Sequence, residues 1–115
     1  MWRIILILFL IAMTRLAIAD SAASAQSVDS TGENIFDSST DGGKCTTFVV
    51  KVDSGSANGV LVNIPGLHKS GEFYPIGVGG KEYFRLDYNA INTVFAKGDG
   101  GTATVSWGVI ARVGH

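Results

Sequence analysis

The feature that most constrains the fold is a long alternating run near the end of the chain, residues 102–113 (TATVSWGVIARV). Every second side chain is apolar, and together these form one face: Ala103, Val105, Trp107, Val109, Ala111 and Val113. The other face holds Thr104, Ser106, Gly108, Ile110 and Arg112. A two-residue period predicts a half-buried β-strand with Trp107 in the core. Such a strand is long for a small domain, so we expect a bend or bulge near Gly108.

Shorter runs of the same kind come before it. They are rich in β-branched and aromatic side chains, and they cover residues 46–53, 60–65, 72–76, 81–88 and 90–97. Glycine, asparagine and serine separate them, as is usual for turns between strands. We therefore predict a small all-β domain of about six antiparallel strands. A small antiparallel β-sandwich of Greek-key or jelly-roll type is the first interpretation, and a small β-barrel is the alternative.

The faces of these runs identify the expected core. Its members are Phe48, Val50, Val52, Val60, Val62, Ile64, Phe84, Leu86, Ile91, Phe95, Val105, Trp107 and Val109. Cys45 is the only cysteine of the chain, so no disulfide can form within it. A buried thiol at the start of a strand is the first interpretation of this residue, and pairing with another chain is the alternative.

The beginning of the chain has a different composition. A basic start precedes a continuous apolar run, residues 4–13 (IILILFLIAM), and small residues follow it. This order predicts a secretory signal peptide over residues 1–25, helical before its removal, with cleavage after Ala25 as the first interpretation and cleavage after Ala19 as the alternative. Arg15 interrupts the segment too early for a membrane span, which needs about 20 apolar residues. We expect the mature protein in the periplasm, on the cell surface or secreted, with membrane contact only through this segment before cleavage.

Residues 26–43 (QSVDSTGENIFDSSTDGG) are rich in serine, aspartate and glycine. Only Val28, Ile35 and Phe36 could contribute much to a core. So little apolar surface does not offset the entropy lost when a segment becomes ordered. We therefore predict a flexible arm over this range, and the sandwich domain over residues 44–115.

No pattern of catalytic residues is found in the sequence. His68 and Ser70 share one short loop, but neighbours in a loop do not form a catalytic triad, and the G-x-S-x-G motif is absent. The spacings typical of zinc sites are absent as well. The glycine cluster at residues 97–101 (KGDGG) has one carboxylate, too few for calcium, and is interpreted as a turn. We expect no enzyme, no cofactor and no metal site.

Two sets of side chains are candidates for recognition. Three apolar residues fall on faces that are otherwise polar, and adjacent strands would make them one exposed partner surface: Val49, Leu61 and Ile110. The alternative is that other parts of the protein cover them. Three tyrosines could stack against a sugar or another surface ligand, with packing at an edge as the alternative: Tyr74, Tyr83 and Tyr88.

These observations favour a secreted or surface-exposed, non-catalytic β-sandwich module that acts in protein interaction or assembly. One alternative is a domain that binds carbohydrate or another surface ligand. A second alternative, based on architecture alone, is a virion or filament surface protein. The formal net charge is −1 and no run of basic residues occurs, so a nucleic-acid partner is not expected. We expect a protein partner or self-association.

Overall fold

The computed structural model of the protein describes residues 21–86 and 90–112. The described residues form eight β-strands in two four-stranded antiparallel sheets. The strands are β1 (Ser21–Val28), β2 (Glu33–Asp37), β3 (Cys45–Val52), β4 (Val60–Asn63), β5 (Tyr74–Ile76), β6 (Lys81–Arg85), β7 (Thr93–Gly98) and β8 (Ala103–Arg112).

The first sheet has the strand order β1-β8-β3-β6, and the second has the order β2-β7-β4-β5. The chain changes sheet at every connection except the one between β4 and β5. This is the strand order of a jelly roll, in which a long hairpin is rolled into two packed sheets. The predicted β-sandwich is confirmed, and the two sheets do not join into the alternative closed barrel.

The inner faces of the two sheets form the core. Twelve of the thirteen expected core residues are buried, from Phe48 to Val109. The core also contains seven apolar residues outside that list of thirteen: Val28, Ile35, Phe36, Ile76, Val94, Ala96 and Ala103. Cys45 is fully buried, in agreement with the first interpretation of this thiol.

The expectation of a flexible arm over residues 26–43 is wrong. Val28 ends β1, which pairs with β8, and residues 33–37 form β2, which pairs with β7. One extra residue of β2, Ile35, lies between the pairs Asn34–Phe95 and Phe36–Val94. This bulge directs two consecutive side chains inward, and both Ile35 and Phe36 are buried. Val28, Ile35 and Phe36 are enough to order this segment because all three side chains are buried in the core.

The assignment of Phe95 to the core is also wrong. In β7 the buried side chains are Val94 and Ala96, so Phe95 lies on the outer face of the second sheet. It is half-buried there, because the ring of Phe73 packs against it with the ring centroids 6.3 Å apart. Phe73, from the loop before β5, thus covers Phe95 outside the core. The inward positions of β7 are one residue away from the position that the sequence predicted.

The expected irregularity in β8 lies two residues beyond Gly108. Phe48 of β3 pairs with Val109, and the preceding Thr47 pairs with Ala111, so Ile110 is an extra residue in β8. Two residues of the bulged strand then oppose one residue of its partner. The alternation alone already assigns Ile110 to the outer face, and the residue that the bulge displaces is Ala111, which pairs with Thr47.

Candidate binding face

The outer face of the first sheet brings together several residues that are far apart in the sequence. The β3–β6 pairing places Lys51 opposite Lys81, Val49 opposite Tyr83, and Thr47 opposite Arg85. Side chains at alternate positions of a strand point to the same side. Because Phe48, Val50 and Phe84 point into the core, the residues between them face outward.

We call this surface the basic face, and it consists of Lys51, Lys81, Arg85, Tyr83, Val49 and Ile110. Three of its side chains are cationic, and all three cations are exposed. The outward positions of β3, β6 and β8 carry no carboxylate within the described residues. The face therefore presents one sign of charge around an apolar centre.

The opposition of Lys51 and Lys81 is unfavourable for the fold. Like charges directly opposite each other on neighbouring strands destabilise a sheet. Both side chains are exposed, so water screens the repulsion without removing it. A bound anion between the two strands would relieve this repulsion.

Tyr83 is the most exposed of the large hydrophobic side chains in the described residues, at 57%. The Nζ atom of Lys81 lies 5.5 Å from the centroid of the Tyr83 ring, within the range of a cation–π contact. Val49, the cross-strand partner of Tyr83, is half-buried. The arrangement provides an aromatic side chain with a polar hydroxyl, next to a cation and to an apolar surface, which is a combination common in protein interfaces.

The structure brings only two of the three predicted partner-surface residues together. Val49 and Ile110 lie on adjacent strands of the first sheet, whereas Leu61 lies in β4 of the second sheet. Leu61 pairs with Pro75 and Lys97 and points outward on the opposite side of the sandwich. The three residues therefore do not form one patch, because their strands belong to different sheets.

The three candidate tyrosines are also separated. Tyr83 lies on the basic face, and Tyr88 lies outside the described residues. Tyr74 is in β5 at the other edge, where its ring contacts Phe84 edge-on at 5.5 Å and stacks on His68 at 6.3 Å. It is 39% exposed. Tyr74 therefore helps to close the side of the sandwich between the edge strands β5 and β6.

His68 has a structural environment. Its Nδ1 atom accepts a hydrogen bond of 3.0 Å from the backbone amide of Ile64, four residues earlier. Its ring also lies edge-on to Phe84 at 5.8 Å. His68 is thus half-buried. Its Nδ1 lone pair is used to hold the loop after β4, so this atom does not face an open cleft.

The glycine cluster at residues 97–101 ends β7 and begins the connection to β8, so its interpretation as a turn is confirmed. A Cβ atom on Gly98 would overlap the carbonyl oxygen of Gly101, and one on Gly101 would lie 2.7 Å from Asn58 Nδ2. Asn58 Nδ2 donates a hydrogen bond of 2.9 Å to the carbonyl of Thr102. Glycine is required here because backbone and loop atoms approach one another closely.

The same end of the sandwich carries exposed carboxylates, which we call the acidic end: Asp29, Glu33 and Asp99. The amide of Gly98 donates a hydrogen bond of 2.7 Å to the carbonyl of Asp29, which joins the β1–β2 and β7–β8 connections. A cavity of about 310 Å³ opens beside them, lined by Ser27, Asp29, Gly32, Glu33 and Thr102. Sequence reasoning missed this end because single acidic residues in turns are common.

Two further observations concern metal binding and membrane crossing in the described residues. Within the described ranges, no group of three or more histidine, cysteine, aspartate or glutamate side chains could hold a metal ion. The described part of the chain also contains no helix that is long and apolar enough to cross a membrane.

Comparison of the chain with protein-family models, with curated proteins and with solved structures finds no match.

Proposed function

We propose that the protein is a non-catalytic β-sandwich module that acts outside the cytoplasm in protein interaction or assembly, and that the basic face is its binding surface. The observation that carries the proposal is the cross-strand pair Lys51–Lys81 beside the exposed Tyr83. An outer sheet face that only needs to be soluble works best with charges of both signs. This face instead has cations in direct opposition, which suits an anionic partner.

The extracytoplasmic location rests on the sequence at the beginning of the chain. A basic start, an apolar run and small residues at two cleavage positions are typical of an exported protein. An exported module without catalytic residues works through its surfaces. Aromatic side chains and arginine are enriched where proteins bind each other, and the basic face contains both.

The proposal is tested by binding of a defined anionic polypeptide. The probe is poly-L-glutamate, added to the purified mature protein at low ionic strength and followed by calorimetry and NMR. We expect binding, with the backbone signals of Val49, Lys51 and Tyr83 shifting most. Replacing both lysines with the neutral pair Lys51→Gln and Lys81→Gln should weaken binding by about tenfold, since each lost charge contact contributes up to ~1 kcal/mol.

The control variant removes the same amount of charge elsewhere. Lys44 and Lys69 are exposed and lie outside the strands, so Lys44→Gln with Lys69→Gln should bind as the wild type does. An equal loss in both variants would mean that only net charge matters, and would contradict a binding face. Binding of a sulfated polysaccharide without binding of poly-L-glutamate would favour the carbohydrate alternative.

A further inference from the structure

The acidic end and the basic face belong to one chain and are complementary. The formal net charge is only −1, yet three carboxylates surround one end of the sandwich while three cations share one outer face. These two sets of opposite charge therefore occupy different parts of the surface. Complementary patches steer two molecules together and fix their relative orientation.

The shapes of the two surfaces also differ in a way that fits. The basic face is the outer surface of a sheet, on which the Lys51 and Lys81 side chains are exposed. The acidic end is concave, because Asp29 and Glu33 line the open cavity of about 310 Å³. Asp29 is held in place there, since its Oδ1 atom accepts hydrogen bonds from the amides of Thr31 and Gly32 at 3.0 and 2.9 Å. A long cationic side chain exposed on a sheet can enter a cavity lined by carboxylates.

We infer that the partner of the basic face is the acidic end of a second copy of this chain, with Lys51 and Lys81 of one copy directed at Asp29, Glu33 and Asp99 of the next. The inference rests on the proposed function and names its partner. The contact joins two different surfaces, so every copy has one of each to offer. Such heterologous contacts form rings when the rotation closes and filaments when it does not.

The experiment uses two variants of the mature protein. The face variant carries Lys51→Gln and Lys81→Gln, and the end variant carries Glu33→Gln and Asp99→Asn. All four side chains are exposed, so both variants should fold, which circular dichroism checks. Light scattering after size exclusion at low ionic strength should show oligomers for the wild type, with dissociation at high salt, and monomers for either variant alone.

An equal mixture of the two variants gives the decisive result. The face variant keeps its acidic end, and the end variant keeps its basic face, so one productive contact remains per pair. We expect a dimer of twice the monomer mass and no larger species. The variant with Lys44→Gln and Lys69→Gln should assemble as the wild type does. Poly-L-glutamate should dissociate the wild-type oligomer, and this arm of the test needs no variant at all.

A wild type that is monomeric at high concentration and low salt would overturn the inference, as would a mixture that stays monomeric while the wild type assembles. In either case, continued binding of poly-L-glutamate at Lys51 and Lys81 would leave the proposed function in place, with a different acidic partner. Loss of self-association together with loss of poly-L-glutamate binding would remove both.

Discussion

Phe36 of β2 lies edge-on against Trp107 of β8, with the ring centroids 5.3 Å apart and the ring planes at 79°. The two residues belong to different sheets, so their contact joins the two layers of the sandwich. Phe48 completes the cluster, at 5.0 Å from Phe36 and 5.4 Å from Trp107. The segment that contains Phe36 is therefore part of the core.

Phe36→Ala should destabilise the domain by about 3–5 kcal/mol, the usual cost of removing a buried aromatic ring. Phe36 has no exposed surface, so the cavity left behind would be enclosed by core side chains. Urea unfolding measures the change in the free energy of unfolding. Asn34→Ala is the control, because Asn34 is exposed in the same strand and should change stability by less than about 0.5 kcal/mol. Equal effects of the two variants would restore the interpretation of a flexible arm.

The two-residue period in the sequence predicted most of the core correctly, because alternation alone decides which side chains of a regular strand face inward. It failed at the bulge of β2, where the extra residue Ile35 places two consecutive side chains in the core. It also failed after the extra residue Ile110 of β8, where Ala111 pairs with Thr47. A bulge depends on the partner strand, so no local pattern reveals it.

The candidate face was predictable only in parts. Val49 and Ile110 were predicted to share one partner surface with Leu61, and Tyr83 was predicted separately as one of three candidate ligand aromatics. The opposition of Lys51 and Lys81 depends on the register between β3 and β6, which are separated by β4 and β5 along the chain. Register between distant strands is set by the whole core and the connections, so the sequence of either strand alone does not contain it.

Lys51→Glu should stabilise the fold while it weakens binding. The variant replaces a repulsive cross-strand pair with an attractive one, and such a change is worth about 0.2–1 kcal/mol. Urea unfolding at low salt should show the gain, and high salt should reduce it by screening. Lys44→Glu provides the control, since Lys44 is exposed and precedes β3. A loss of stability in Lys51→Glu would mean that Lys81 does not oppose this position in solution.

Gly98→Ala should destabilise the connection between β7 and β8 by about 1–3 kcal/mol, the usual cost of overpacking. The new methyl group would overlap the carbonyl of Gly101, and Gly98 is buried. Thermal unfolding should show a clear fall in the midpoint. Gly77→Ala is a suitable control, because Gly77 is exposed and a Cβ atom there would have no neighbour within 4 Å. Unchanged stability of Gly98→Ala would contradict the close backbone approach in this turn.

Asp37 should make the stability depend on pH in the acidic range. Hydrogen bonds from the Ser39 hydroxyl and then the Ser39 amide, at 2.7 and 2.9 Å, lower the pKa of the Asp37 carboxyl below its ordinary value of about 3.9. Because the unfolded chain binds the proton more readily, this stabilisation is complete above the ordinary pKa and is lost as the pH falls through the lower folded value.

Urea unfolding across this range, compared for the wild type and Asp37→Asn, isolates the contribution of Asp37. The wild type should be the more stable protein at neutral pH, and the difference should shrink as the pH falls below 4. Ser39→Ala removes the hydroxyl donor, so its pH dependence should be weaker than that of the wild type. A difference between wild type and Asp37→Asn that stays constant with pH would contradict the lowered pKa.

The pairing of β1 favours one of the two predicted cleavage positions. Ser21, Ala22 and Ala23 pair with residues 107–109 of β8. Cleavage after Ala25 would remove these pairs and leave that part of β8 paired only with β3, whereas cleavage after Ala19 would keep β1 whole. We expect the intact mass of exported protein to correspond to a first residue Asp20. A chain that starts at Gln26, made separately, should be less stable in urea than one that starts at Asp20. Equal stability, together with a natural terminus at Gln26, would show that the first half of β1 is dispensable.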